Sequence, residues 1–250
     1  MKNKLLQLIR QNARRDDTEP SIRMEATDDR VHIYVYDVID PYWGANAADL
    51  IKALASAGGR PVAMHINSPG GDVFESLAMS AAVASYSGVV TAHVDGLAAS
   101  AATQLALSAS EIQMIEGGLW MIHNSWTMAW GNKTELRATA DLLEKVDGDI
   151  VGPYARKTGA STEQVVAWMD ATTWFTAQEA KDAGFVDSIV VPSQSASTQA
   201  SAARWNLSAY ANAPKLQAPP KRPDQAEITA QAERLMRLNR SRLAALAIPN

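Results

Sequence analysis

The chain has 250 residues, 47% of them hydrophobic and 20% charged, and its formal net charge is −4 at pH 7. This hydrophobic content is ample for a sizeable core, whereas the mild acidity gives no bulk attraction to nucleic acid or to anionic membranes. Cysteine is absent, which excludes disulfides, a thiolate nucleophile and the common zinc–cysteine sites.

Residues 1–29 are predicted to form an N-terminal extension. Basic side chains between Met1 and Arg15 flank a short apolar run, Leu5–Ile9. A secretory signal needs a longer apolar stretch and a small-residue cleavage site, and no segment approaches the roughly 18 apolar residues that span a bilayer. We therefore expect a soluble protein that stays in the compartment where it is made.

Strand and helix patterns alternate from residue 30 to about Pro192. The strand candidates are rich in β-branched or alternating apolar residues and lie at 31–36, 61–66, 89–94, 111–115, 118–122 and 185–191. The helix candidates have apolar residues at helical spacing and lie at 45–57, 73–85, 98–109, 133–157, 161–169 and 177–183. Repeated units of about 30 residues indicate parallel strands joined by helical crossovers, so the predicted fold class is α/β.

The composition changes after Pro192. Residues 193–223 are rich in Ser, Ala, Gln and Pro, which is typical of a linker. Ala226–Leu246 regains helical character with a basic face. We therefore predict a main domain at 30–192, followed at 193–250 by a flexible C-terminal tail that contains one helix.

Three short segments carry candidate chemistry. Ile66-Asn-Ser-Pro-Gly-Gly-Asp72 joins a strand to a helix, and its glycines allow close approach of the backbone to a ligand. Asp95-Gly-Leu-Ala-Ala-Ser-Ala-Ala102 places a serine among small residues at a strand–helix junction, where the next N–H could stabilise an oxyanion. Leu119–Asn124 contains a histidine after an apolar strand. Taken singly, each segment also fits a structural role. The glycines could form a tight turn, the serine could cap a helix, and the histidine could be a hydrogen-bonded structural residue.

Together these segments resemble the signature stretches of the ClpP peptidase family. Asn67-Ser-Pro-Gly-Gly71, Gly96-Leu-Ala-Ala-Ser-Ala-Ala102 and Met121-Ile-His123 occur in the family's order, and Phe175–Asp187 is similar to its closing helix–strand segment. The resemblance covers about residues 31–191. It implies a spiral of ββα units, shared with the crotonases, with a protruding handle helix at Lys133–Lys157.

The resemblance also assigns roles to individual residues. It implies that Ser100 is the nucleophile and that His123 takes its proton. The backbone N–H groups of Gly71 and Ala101 would form the oxyanion hole. The resemblance implies no cofactor and no metal.

The third member of the triad departs from the family pattern. Alignment of Trp174-Phe-Thr-Ala177 without gaps puts Thr172 where the family's aspartate falls, and Asp170 lies two residues earlier. Asp170 is the predicted third member. Thr172 and a backbone carbonyl stay open as alternatives.

The partners follow from a narrower resemblance. Met169-Asp-Ala-Thr-Thr-Trp-Phe-Thr-Ala177 and the added tail are similar to ClpP-like proteases of phage and prophage head-maturation modules. This implies protein substrates such as scaffold or capsid precursors, homo-oligomeric stacked rings and a location in the bacterial host cytoplasm. An ATP-dependent unfoldase is a further candidate partner, because the chain has no Walker-type Gly-x-x-x-x-Gly-Lys pattern of its own.

Two other functions remain open at this point. A crotonase-type enzyme acting on acyl-CoA shares the ββα spiral and an oxyanion hole of two N–H groups. A catalytically silent assembly protein, whose ring organises a capsid precursor, is compatible with the missing aspartate at the aligned position.

Overall fold

A computed structural model of the chain describes residues 8, 11–13, 21–191 and 205–214. The chain divides into two units, residues 1–218 and 219–250, and the second lies wholly outside the described residues. The predicted helix at 226–246 is therefore outside them as well. Among the described helices, none combines the length and the apolar content that crossing a membrane requires.

The described strands form one mixed sheet. Its main path has the order β1-β2-β3-β4-β5-β8, in which β1 is antiparallel to β2 and the other neighbours are parallel. A branch leaves the path where β6 pairs in parallel with β4 and antiparallel with β7. The strands are β1 (Ile22–Ala26), β2 (Val31–Val35), β3 (Val62–Ser68), β4 (Val90–Ala99), β5 (Glu111–Ile115), β6 (Leu119–Ile122), β7 (Thr173–Thr176) and β8 (Ser188–Val190).

Strand β4 corrects one prediction. The sequence predicts a strand that ends at Val94, a turn at Asp95-Gly96 and a helix from Ala98. Instead β4 continues to Ala99, because its first half pairs with β5 and its last three residues pair with β6. The second partner satisfies the backbone groups that would otherwise end the strand, and the next helix starts only at Ala101.

The helices lie close to their predicted positions, and polar side chains cap most of them. Asn46, Asp72, Asn132, Ser161 and Thr176 each accept a hydrogen bond from a backbone N–H of the first turn. The helices are α1 (Ala47–Ala57), α2 (Val73–Ala84), α3 (Ala101–Leu107), α4 (Lys133–Thr158), α5 (Thr162–Asp170) and α6 (Ala177–Asp182).

Helix α4 is the predicted handle. Its only buried residues are Ile150, Val151 and Tyr154, all in its C-terminal half, where they join the main core. In the preceding turns Val146 still packs on this core, whereas Leu136 and Leu142 are 44% and 53% exposed. One end of α4 is therefore anchored in the domain while the other projects from it.

Two described segments outside the predicted 30–192 domain pack on it. Ile22–Ala26 alternates apolar and charged residues and adds β1 to the edge of the sheet. Trp205, Leu207 and Tyr210, in the predicted linker, are buried in a second hydrophobic cluster. Strand β7 was also not predicted, since its four residues are stabilised by pairing with β6 across the sheet rather than by a local pattern.

Candidate active site

Ser100 lies at the turn between β4 and α3 in an unusual backbone conformation. Its φ is 55° and its ψ is −127°, a positive φ that residues with a Cβ rarely adopt. The N–H of Ser100 donates to the Met121 carbonyl at 2.8 Å, and its own carbonyl accepts from the Thr103 N–H at 2.9 Å. Such a strained strand-to-helix turn, held from both sides, is typical of a nucleophile that must project its hydroxyl into a cleft.

His123 directly follows β6, and strand pairing brings it to the serine. Ala99 of β4 is paired with Met121 of β6. The residues that follow these two strands therefore leave the sheet at the same end. His123 Nε2 lies 2.8 Å from Ser100 Oγ, within hydrogen-bond distance. Burial lowers the pKa of His123 to about 4, so that the imidazole is neutral at pH 7 and able to accept a proton.

The glycines after β3 approach the same turn. Gly70 and Gly71 have φ values of 85° and 151°, which glycine adopts without strain. A Cβ on Gly70 would lie 2.8 Å from the Ser100 Cβ and 3.0 Å from the Ala101 nitrogen, too close for any other residue. Gly71, Ser100, Ala101 and His123 all line one pocket. The predicted oxyanion donors therefore flank the serine at a common cleft, and the Ala101 N–H, at the first position of α3, has no partner within its helix.

The pocket beside the serine has an apolar wall. It has a volume of about 220 Å³ and extends from Ser100 and His123 to α4. On the α4 side the lining includes Leu142, Leu143, Val146 and Ile150, and α2 contributes Phe74. A pocket of this size and lining can take an apolar side chain of a ligand next to Ser100.

The structure does not bring Asp170 to His123. The Asp170 carboxylate accepts a hydrogen bond of 2.7 Å from Asn124 Nδ2, one residue beyond the histidine. Asp170 is the last residue of α5, and the chain then turns through Thr172, whose φ is 50°. Within the described part of the chain, Ser100 is the only hydrogen-bond partner of the His123 ring, so neither Asp170 nor Thr172 orients it by direct contact.

Two aromatic residues that the sequence did not single out for the site surround the histidine. Trp126 and Tyr210 each pack against the His123 ring in edge-to-face geometry, with centroid distances of 5.0 Å and 5.2 Å. Trp126 lies in the loop between β6 and α4, and Tyr210 lies in the predicted linker. The available signal was Trp205-Asn-Leu-Ser-Ala-Tyr210, an apolar and aromatic run inside a segment of otherwise small and polar residues.

The other three histidines lie elsewhere on the sheet. His65 stacks on His93 and its Nδ1 lies 2.7 Å from Asp95 Oδ2, while its Nε2 lies 3.0 Å from His32 Nδ1. These residues form a row across β2, β3 and β4. No set of three or more side chains in the described ranges has an arrangement able to hold a metal ion.

The comparisons with known proteins all point to one family. A family model described as Clp protease matches residues 19–193. The ATP-dependent Clp protease proteolytic subunit 1 of Chlamydia abortus is 35% identical over 159 residues, which cover 60% of this chain and 83% of that protein. The corresponding proteolytic subunit of Bacteroides fragilis is 30% identical over 135 residues, or 53% of this chain and 65% of that protein.

Solved structures agree with the sequence matches. An asparagine-to-aspartate mutant of ClpP1 from Listeria monocytogenes aligns with a TM-score of 0.58 and 25% identity, covering 65% of this chain and 92% of that one. This likeness confirms the predicted α/β fold of the ClpP type. The family match spans well over half of the chain, and we conclude that the chain belongs to the Clp protease family of serine-type endopeptidases.

Proposed function

We propose that the chain cleaves peptide bonds of protein substrates through an acyl-enzyme formed on Ser100. The observation that carries this proposal is the 2.8 Å contact between Ser100 Oγ and His123 Nε2 at a strained strand-to-helix turn. His123 accepts the hydroxyl proton as the oxygen attacks the substrate carbonyl, and then donates it to the leaving amine. A water molecule, activated by the same imidazole, hydrolyses the ester and restores the serine.

The backbone N–H groups of Gly71 and Ala101 are proposed to bind the oxyanion of each tetrahedral intermediate. Support comes from their position on the pocket that contains Ser100 and His123. Loss of one such donor typically lowers kcat by about 10²–10³-fold. A cleft lined by an apolar wall from α4 would hold the substrate side chain that precedes the cleaved bond.

A fluorophosphonate probe tests the nucleophile directly. We expect covalent labelling of Ser100, identified by peptide mapping, and cleavage of casein or a fluorogenic peptide by the full-length protein. Ser100→Ala should abolish both signals, whereas Ser110→Ala, at an exposed serine after α3, should leave both intact. Equal cleavage by the wild type and Ser100→Ala would refute the proposal. An intact fold with no labelling would instead favour the catalytically silent assembly protein.

Stacked rings are proposed as the assembly. The relatives are named proteolytic subunits of an ATP-dependent protease, and the projecting end of α4 together with the loop before it exposes apolar surface, including Trp130 at 83%. Native mass spectrometry should show multimers of the 26.9 kDa chain. Trp130→Ser should shift the population to smaller species, whereas Tyr42→Ser, equally exposed at 83% but far from α4 in sequence, should not.

The natural substrates are proposed to be scaffold or capsid precursors of a phage head. The Met169–Ala177 stretch and the tail after residue 192 support this through their resemblance to head-maturation proteases. Incubation of the protein with purified phage scaffold and capsid precursors should give discrete fragments that Ser100→Ala does not produce. If these proteins stay intact while casein is degraded, the proposal of phage substrates is wrong and the proposal of peptidase activity stands.

An unfoldase partner is tested by adding a Clp ATPase with ATP and a folded substrate.

A further inference from the structure

The segment from Trp205 to Pro214 packs beside the catalytic pair. Its buried apolar residues form a second hydrophobic cluster with Leu97, Ala99 and Met121. Successive strand residues face opposite sides of a sheet. Ala98, Trp120 and Ile122, which are the strand neighbours of these three residues, belong to the main core. The segment therefore covers the face of the β4–β6 pair that is turned away from the main core, next to the strand ends that lead to Ser100 and His123.

Hydrogen bonds anchor this segment on both sides of the site. Trp205 Nε1 donates to Asn67 Oδ1 at 2.9 Å, and the Tyr210 hydroxyl donates to the Pro69 carbonyl at 2.5 Å, both on the strand and loop that lead to Gly71. At the far end, Trp174 Nε1 donates to the Ala211 carbonyl at 3.0 Å. Asn212 Nδ2 donates to the Ala171 carbonyl at 3.0 Å.

Tyr210 is the point where the segment contacts the catalytic histidine. Its ring is only 5% exposed and lies edge-to-face with His123 at 5.2 Å between centroids. It also stacks on the Trp126 ring, with 5.1 Å between the ring centroids and an angle of 10° between the ring planes. Trp126 in turn contacts His123, with 5.0 Å between the ring centroids. The imidazole is thus packed against two rings that hold each other.

The histidine lacks the usual orienting group. In serine proteases, a carboxylate on the second imidazole nitrogen holds the ring in one tautomer and orientation. In the described residues, the nearby carboxylates of Asp170 and Asp147 are engaged by Asn124 and by the Ser125 N–H. No carboxylate among these residues is hydrogen-bonded to His123.

We propose that Tyr210, packed with Trp126, is a positioning residue that holds the His123 imidazole against Ser100 in place of a triad carboxylate. The inference rests on the proposed roles of Ser100 and His123. Aromatic pairs have preferred edge-to-face geometries, so two such contacts restrict the tilt of the imidazole. The bond from Tyr210 to Pro69 also ties this support to the loop that contains Gly71.

A support is favoured over a lid because the segment does not enter the substrate pocket. The cleft of about 220 Å³ beside Ser100 is lined by residues of α2, α3 and α4 and of the loops after β3 and β6, and by none from 205–214. The packed rings also shield one side of the half-buried His123 from water. Desolvation is the cause that lowers the pKa of this histidine to about 4.

The test uses full-length protein with three substitutions. Tyr210→Leu removes the ring but keeps an apolar side chain in the cluster. Tyr210→Phe keeps the ring but removes the hydroxyl, which bonds the Pro69 carbonyl and interacts with the Ser100 side chain. Leu207→Ala is the matched control, since Leu207 belongs to the same cluster and makes no described contact with His123. For each protein we measure Tm, kcat and KM for a fluorogenic peptide, and the rate of fluorophosphonate labelling from about pH 3 to pH 9, a range that brackets the expected midpoint of about 4.

Tyr210→Leu should lower kcat about 10- to 100-fold with KM within about twofold, consistent with the loss of a positioning contact. The midpoint of its acid limb should rise from about 4 toward the ordinary histidine value of about 6.5, because water reaches the ring. Tyr210→Phe should recover most of the loss and the wild-type pH profile. Leu207→Ala should lower Tm but leave the midpoint of the acid limb of the pH–rate profile unchanged.

Three results would overturn the proposal. One is a wild-type rate and pH profile in Tyr210→Leu. Another is faster cleavage by Tyr210→Leu, which would identify the segment as a lid. The third is a parallel loss of rate and Tm in Tyr210→Leu and Leu207→Ala without any shift of the acid limb, which would make the role purely structural.

A measurement without turnover separates this inference from the proposed function. The chain has four histidines, so the ¹⁵N ring signals of His123 can be assigned with a His123→Gln variant. Titration of these signals should show a higher midpoint in Tyr210→Leu than in the wild type even if Ser100 is never labelled. If the two titrations coincide, Tyr210 does not support the imidazole, whatever the activity of the protein.

Discussion

Ser100 combines a reactive side chain with a backbone that a serine adopts only under constraint. The positive φ of 55° is stabilised by the bonds to Met121 and Thr103, and such a conformation typically costs a non-glycine residue about 1–3 kcal/mol. Glycine adopts positive φ without this penalty. The geometry that presents the hydroxyl is therefore obtained at the expense of stability.

This strain predicts a difference between two inactive variants. Ser100→Gly should be more stable than Ser100→Ala by about 1 kcal/mol, because only glycine relaxes at this φ. Thermal denaturation of the two proteins under identical conditions checks the prediction. Equal Tm values, or a lower value for Ser100→Gly, would show that the turn is not strained.

The role of Asp170 is tested by two substitutions. Asp170→Asn keeps an oxygen that can accept from Asn124 Nδ2, so kcat should stay within about threefold of the wild type. Asp170→Ala removes the 2.7 Å bond and should lower kcat about tenfold by loosening the chain next to His123. An aspartate in direct contact with the histidine would instead give a loss of about 10⁴-fold in the asparagine variant. Steady-state kinetics distinguish these outcomes, and the large loss would restore Asp170 as a triad member.

The state of His123 predicts the pH dependence of the reaction. The imidazole acts as a base only when neutral, and burial lowers its pKa to about 4. Activity should therefore persist from neutral pH down to about pH 5 and disappear as the pH falls through about 4. The pH profile of kcat/KM for a fluorogenic peptide checks this. A midpoint near 6.5, the ordinary value for histidine, would mean that water reaches the ring in solution.

At the scale of elements, β4 determines where the proposed catalytic residues lie. It pairs with β5 over its first half and with β6 over its second half, so the sheet branches at the end of β4. The serine after β4 and the histidine after β6 leave the branch together, and the Gly70-Gly71 loop after β3 meets them there. The site is thus built from the carboxyl ends of three adjacent parallel strands, where α/β folds commonly place ligands.

Helix α4 is expected to determine the preference for the substrate side chain. Val146 lies on the wall of the pocket beside Ser100, so Val146→Asp places a charge where an apolar group would bind. We expect kcat/KM for peptides with leucine or methionine before the cleaved bond to fall at least about tenfold. Labelling by a small fluorophosphonate should change little, because that probe does not fill the pocket. Thr139→Asp, about two turns away on the same helix and also on the pocket, shows whether any added charge has the same effect.

At the scale of the molecule, the domain extends beyond the part that resembles the family. Residues 205–214 contribute Trp205, Leu207 and Tyr210 to a cluster that includes Leu97 and Met121 of the sheet. Each buried apolar side chain of this size contributes about 1.5–3 kcal/mol. The segment is therefore a structural part of the catalytic domain.

Two truncations test this extent. A chain that ends at Ala218 keeps every described contact, so its Tm and activity should stay close to those of the full chain. A chain that ends at Val191 loses the covering segment, and its Tm should fall by about 5 °C or more together with peptidase activity. Differential scanning calorimetry and the peptide assay check both. Equal Tm values for the two truncated chains would show that the segment adds nothing to the domain.

The sequence by itself determined the features whose causes are local. Glycines at Gly70 and Gly71, the small residues around Ser100 and the apolar periodicity of α1, α2 and α4 each reflect a requirement of the adjacent backbone. The ordered motifs that indicate the family also predict Ser100 and His123 as its nucleophile and base.

Only the tertiary structure decided how distant segments meet. The continuation of β4 to Ala99 depends on pairing with β6, and the direction of the Asp170 side chain depends on Asn124, 46 positions earlier. Tyr210 reaches the site through a bond to Pro69, 141 positions away. Such contacts depend on which surfaces the folded sheet leaves uncovered, and no periodicity or spacing within a segment encodes them.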